Sequence, residues 1–293
     1  MTPKSVFVER DGLRIAALDW GGDGVPLLLL HPNGFCAGLF DPVAQRVRDS
    51  FRPIGVDLRG HGDSGAPASP EGFAFDLMAA DVLAVLDELG VDQCVVLGQS
   101  LGGGVGILVD KLRPGIVHRL LLCEAIAFAL GEMPGPPPRP PGTGPGDGGN
   151  YMSTIARKRQ AVWPDRETVR ESYGSRPPLD ALAPEALDAY VQWGFHERPD
   201  GQVELACPPE VEATIFEVSS ADQGAAGSWS HLPDVRARVT VARGTTSDLP
   251  GEWFEAQADN ADAPLVTVDG GHFFLQEDTG RAERLVRERL GVR

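Results

Sequence analysis

The sequence predicts an α/β fold, a mostly parallel eight-stranded sheet with helices on both faces, interrupted by a helical cap insertion. Three observations lead there. Short apolar runs alternate with helix-like stretches, the pattern of a parallel sheet covered on both sides. The chain has 293 residues, 42% of them hydrophobic, enough for one large α/β domain carrying an insertion. A run of Pro and Gly, MPGPPPRPPGTGPGDGG at residues 133–149, can form neither helix nor ladder, and strand-like sequence resumes only after about residue 230. Residues 1–130 and 231–293 are therefore assigned to the core domain and 131–230 to the cap.

Each strand has its own justification. VFVER and RIAALDWG alternate apolar and polar residues, as a hairpin at a sheet edge does. PLLLLHP, FRPIGVD, QCVVLGQS and VHRLLLCEA are continuous apolar runs suited to strands buried on both faces. ARVTVARG and APLVTVDGG complete the eight. Between them, FDPVAQRVRD and FDLMAADVLAVLDELG space their apolar residues three and four apart, and Gly90 stops the second helix. LGGGVGILVDKLRPG reads as a helix whose glycines cost about 1 kcal/mol each relative to Ala, so they are expected to serve close packing. The chain closes on an amphipathic helix, RAERLVRERLG. The cap holds Tyr151, Tyr173 and Tyr190 with Trp163, Trp193 and Trp229, a set that suits either a substrate pocket or the packing of a thin core.

Composition excludes several classes of partner. A formal net charge of −16 opposes binding to nucleic-acid phosphates or to an anionic membrane surface. No stretch has the apolar length of a signal peptide or a membrane span, so a cytoplasmic protein is expected. Cys36, Cys94, Cys123 and Cys207 lack paired spacing and read as buried free thiols, with neither a metal site nor a disulfide framework.

The chemistry centres on VVLGQSLGGG, residues 95–104. An apolar strand runs into a serine between Gly98 and Gly102, and a helix follows. That turn strains the Ser100 backbone, exposes its hydroxyl, and sets the Leu101 N–H where it can stabilise an oxyanion. A second donor is expected in the loop of LLLLHPNGF, from the N–H of Asn33 with Gly34 next, since Pro32 has no N–H. His31 and His61 read as residues that hold loops together. His272, in VTVDGGHFFL, follows the last strand through a Gly-Gly turn and is the expected base, since imidazole can take and return a proton at neutral pH.

The ordered set LLLLHPNGF, DLRGHGDS, GQSLGG and GGHFF resembles the α/β-hydrolase fold family, over essentially the whole chain outside the Pro/Gly run and the cap. The resemblance implies a small serine hydrolase, esterase- or lactonase-like, with a Ser–His–acid triad beneath a lid. Relatives that open epoxides or remove halides carry Asp at the nucleophile position, so Ser100 argues for attack on a carbonyl instead. The resemblance offers two acids. In most members the acid follows the seventh strand, and VTVARGTTSDLP there nominates Asp248, which is favoured. In a minority, including lactonases acting on resorcylic lactones, it ends the preceding strand, which nominates Glu124. A carboxylate at the end of an apolar strand needs a partner, and His272 can supply one.

The expected enzyme thus cleaves an ester or lactone of a small, partly apolar substrate through an acyl-enzyme, with Phe35 and Phe273 beside the pocket and with no metal or organic cofactor. Carbon–carbon bond hydrolysis, acyl transfer, and a ligand-binding receptor with little turnover are the alternatives on the same scaffold.

Overall fold

Asp11 and Gly12 both take positive φ, at 52° and 77°, and this two-residue turn closes the N-terminal hairpin. In the computed structural model, which describes residues 2–129 and 151–291, β1 (Lys4–Arg10) and β2 (Leu13–Asp19) pair antiparallel there. The expected Pro/Gly-rich segment lies outside the described residues.

The remaining strands are β3 (Val25–Leu30), β4 (Phe51–Val56), β5 (Cys94–Gln99), β6 (Val117–Cys123), the short β7 (Val162–Trp163), β8 (Phe195–Glu197) and β9 (Val203–Leu205), then β10 (Arg238–Gly244) and β11 (Leu265–Val268). Eight of them form one sheet in the order β1-β2-β4-β3-β5-β6-β10-β11. From β4 to β11 every pairing in that sheet is parallel. Helices α1 (Asp41–Val47), α2 (Phe75–Glu88) and α3 (Leu101–Leu112) fall between its strands. Between β6 and β10 lie α4 (Tyr151–Ala156), α5 (Arg166–Tyr173), α6 (Pro184–Trp193), α7 (Pro209–Ser219) and α8 (Gly227–His231). The chain ends with α9 (Gly251–Asn260), α10 (Phe274–Glu277) and α11 (Thr279–Leu290).

Alternation along the strands sorts side chains onto two faces. Leu28, Leu30, Val96, Leu120 and Leu122 pack with α2 and α3 residues such as Met78, Val82 and Val105. Leu27, Leu29, Val95, Leu97 and Leu121 pack on the other face with Val43 and Val47 of α1 and Leu285 and Val286 of α11. Each of these strand leucines, fully buried, contributes roughly 1.5–3 kcal/mol. The uninterrupted apolar runs follow from this double burial.

The described part of the insertion divides in two. Trp163, Val169, Leu187, Val191, Phe195 and Leu205 build a small core of their own. Further on, Ile215 of α7 joins the main core, and Ser228 of α8 donates to the Gly104 carbonyl of α3 at 2.9 Å. Among the described residues no helix is long and apolar enough to cross a membrane.

Candidate active site

Ser100 follows β5 directly and caps α3, with φ 54° and ψ −118°. A non-glycine residue in that conformation costs of order 1–3 kcal/mol and persists only where its surroundings hold it. They do: the Ser100 N–H donates to the Cys123 carbonyl at 3.0 Å, and its own carbonyl accepts the Ile126 N–H at 2.9 Å. Gly98 and Gly102 let the turn close, since a Cβ on either would meet backbone atoms, of α3 for Gly98 and of Leu30 for Gly102.

The same two bonds bracket Glu124, which follows β6 with φ 48° and is fully buried. Its carboxylate accepts three donors: the Gly244 N–H at 2.7 Å, the Ser247 hydroxyl at 2.6 Å, and His272 Nδ1 at 2.7 Å. The expectation that Asp248 partners the imidazole is therefore corrected. Asp248 is exposed in a bend after β10, while its neighbour Ser247 turns inward to Glu124. The reason lies in strand order. β6 sits between β5 and β10, so a residue just past its end stands between the Ser100 turn and the β10 loop.

His272 reaches this point from the turn after β11, and a buried amide holds its backbone. Gln99, the residue before Ser100, donates to the His272 carbonyl at 3.1 Å and exchanges hydrogen bonds with Gln276 at 2.9 and 3.1 Å. Ser100, Glu124 and His272 thus belong to one circuit, Ser100 bonded to Cys123, Glu124 to His272 and His272 to Gln99, closed by the peptide links Cys123–Glu124 and Gln99–Ser100. Sequence reasoning missed Gln99 and Gln276. The available signal was a polar side chain at the end of an otherwise apolar strand.

Opposite this circuit lies the loop after β3. His31 accepts the Leu58 N–H at Nε2, 3.0 Å, and donates from Nδ1 to the Pro32 carbonyl, 2.8 Å. His61 accepts the Gly34 N–H at Nε2, 3.1 Å. Burial holds His31 well below the ordinary histidine range and His61 down at about 4, so both are neutral acceptors at pH 7. Gly34 has thus given up its N–H, whereas no acceptor among the described residues takes the N–H of Asn33 or of Leu101, the two expected oxyanion donors. Phe35 packs on Tyr190 and Phe273, with ring centroids 4.5 and 5.1 Å away, and Phe273 meets the His272 ring edge-on at 5.0 Å. Phe274 instead lies in the core beneath.

Cys36, Cys94, Cys123 and Cys207 are buried free thiols. Among the described residues no three His, Cys, Asp or Glu side chains gather to hold a metal ion.

Three known proteins show what the chain is similar to. It is 33% identical to mouse epoxide hydrolase 4 over 119 residues, which are 40% of this chain and 33% of that protein, so it spans about a third of that relative. It is 26% identical over 255 residues, 80% of this chain and 78% of the relative, to the 3-hydroxybutyrate-oligomer hydrolase of Cupriavidus necator. The structure of E-2-(acetamidomethylene)succinate hydrolase superposes with a TM-score of 0.76 at 19% identity, covering 99% of this chain and all of that one, a likeness of fold. The alpha/beta hydrolase family model matches residues 27–288, which include the Ser100 turn, Glu124 and the His272 loop, and the chain belongs to that family.

Proposed function

We propose that the protein is a serine hydrolase that cleaves an ester or lactone of a small, partly apolar substrate through an acyl-enzyme. The observation that carries this reading is the His272 Nδ1 to Glu124 contact of 2.7 Å. With Nδ1 protonated and held by a carboxylate, the lone pair is on Nε2, the nitrogen free to take a proton from Ser100. Ser100 attacks the carbonyl, the N–H groups of Asn33 and Leu101 receive the oxyanion, and His272 returns the proton to the leaving group. Glu124 orients the ring and stabilises the imidazolium.

The apolar rings of Phe35 and Phe273 support a substrate with an apolar part next to the reacting carbonyl. Similarity over most of the chain to a hydrolase of 3-hydroxybutyrate oligomers also favours hydrolysis at an acyl group. Epoxide opening is disfavoured, despite the similarity to epoxide hydrolase 4, because the residue at the turn is Ser100 and not Asp.

The test is a fluorophosphonate probe together with panels of p-nitrophenyl esters, lactones and 1,3-diketones. The probe is expected to label wild-type protein at Ser100, Ser100→Ala is expected to be unlabelled, and turnover is expected on the esters or lactones. Equal labelling of both proteins, or no labelling of wild type, overturns the proposal. Turnover of the diketones alone would replace it with carbon–carbon hydrolysis.

A further inference from the structure

The loop that offers the Asn33 N–H is gripped from the insertion by one main-chain carbonyl and one side-chain hydroxyl. The Asn33 side-chain amide donates to the carbonyl of Glu212 in α7 at 2.9 Å. The Tyr190 hydroxyl of α6 donates to the Gly34 carbonyl at 3.0 Å, across 156 residues of chain. Both grips meet at Arg159, whose guanidinium forms an ion pair with the Glu212 carboxylate and donates to the hydroxyls of Tyr190 at 2.8 Å and Tyr173 at 3.1 Å.

The direction of each bond gives the cluster its role. Arg159 donates to the Tyr190 oxygen, so the tyrosine's own proton is left for the Gly34 carbonyl. Burial pushes the Tyr190 phenol far up, Arg159 opposing, and the hydroxyl keeps that proton. Glu212 neutralises the guanidinium, so the cluster adds no net charge next to the loop. Gly34 has φ 79°, and a Cβ there would come within 2.7 Å of the Glu212 carboxyl and 3.0 Å of the Arg159 guanidinium. Only glycine lets the loop and the cluster approach this closely. On the core side, the Pro32 carbonyl accepts from the His31 ring at 2.8 Å. That carbonyl shares a peptide plane with the Asn33 N–H, so the N–H points the opposite way.

We infer that Arg159, Tyr190 and Glu212 are positioning residues for the oxyanion hole, the insertion holding the Asn33–Gly34 turn in the orientation that aims the Asn33 N–H at the substrate oxygen. This rests on the serine-hydrolase reading above. The three residues act through the Asn33–Gly34 turn and touch no reacting atom, so their effect falls on the tetrahedral state and not on ground-state binding.

The experiment compares wild type, Tyr190→Phe and Arg159→Lys as full-length proteins, with an activated ester as substrate and a trifluoromethyl ketone as tetrahedral mimic. Tyr190→Phe is expected to lower kcat about tenfold with KM within about twofold, and to weaken ketone binding by the same factor. Arg159→Lys, which keeps the charge and loses the fork, is expected to shift both in the same direction. The pH profile of kcat/KM is expected to keep its shape in both variants, because His272 and Glu124 are untouched. Unchanged kcat and ketone affinity in a folded Tyr190→Phe protein overturn the inference, as does a rise in KM at constant kcat. If Tyr190→Phe melts below the assay temperature, Arg159→Lys decides by the same criteria. Failure of the fluorophosphonate to label wild type is a separate outcome: it removes the serine-hydrolase reading, and the inference with it.

Discussion

The two sides of Ser100 are built from different parts of the chain. On one side, Glu124, Gly244, Ser247, His272 and Gln99 all stand at or just past the ends of β5, β6, β10 and β11, strands hydrogen-bonded to one another in a single sheet. On the other, the Asn33–Gly34 turn is held from below by His31 and His61, and from above by Tyr190 and Glu212 of the insertion. The first arrangement is anchored on adjacent strands of that sheet. The second depends on how the insertion's α6 and α7 sit on the core.

Experiments can break this contrast or sharpen it. The largest effect is expected at Glu124: with Gln there, kcat/KM on an activated ester should fall by roughly 10³–10⁴-fold, whereas Asp248→Asn should stay within about twofold. A comparable loss at Asp248 would show that the sheet side is not closed by Glu124. The tenfold effect expected at Tyr190 comes next and would mark the Asn33–Gly34 side as adjustable. Ser247→Ala should be milder still, a few-fold loss in kcat, since Glu124 keeps its bonds to Gly244 and His272. A loss as large as that of Glu124→Gln would mean that Ser247 does more than orient the carboxylate.

A separate effect is expected on stability against pH. His61 is depressed by burial to about 4 from 6.5, so between those values the unfolded chain binds a proton that the folded one refuses. Acidification through that window therefore destabilises the fold through His61. Asp57 has the opposite sign: burial raises it to about 6 from 3.8, so its contribution against folding grows as pH rises through that window. Melting curves of wild type and His61→Gln at pH 4 and 6.5 isolate the first. The drop in Tm on acidification should be smaller in the variant, and an equal drop would show that His61 is not held neutral.

Much of this was legible from the residues. Ser100 was, because a strand, a glycine-flanked turn and a helix are contiguous and the strain at φ 54° is a local property. The eight strands were, because burial on both faces demands uninterrupted apolar runs. His272 was, from its Gly-Gly turn after a strand. The acid was not: Glu124 and Asp248 both follow strands, and both strands end on the same side of the sheet. Which carboxylate meets the imidazole depends on the bend after β10, where Ser247 turns inward and leaves Asp248 in solvent. The Arg159 cluster was equally hidden, with 156 residues separating Tyr190 from Gly34 and 179 separating Glu212 from Asn33.

By itself the sequence determined the α/β architecture, the strained Ser100 turn and the histidine that follows the last strand, because each arises from contacts between near neighbours or from the periodicity of burial. Only the tertiary structure decided which acid faces His272 and what holds the Asn33–Gly34 loop. Those answers come from strand order and from the seating of the insertion on the core, where hydrogen bonds close between residues that no local pattern relates.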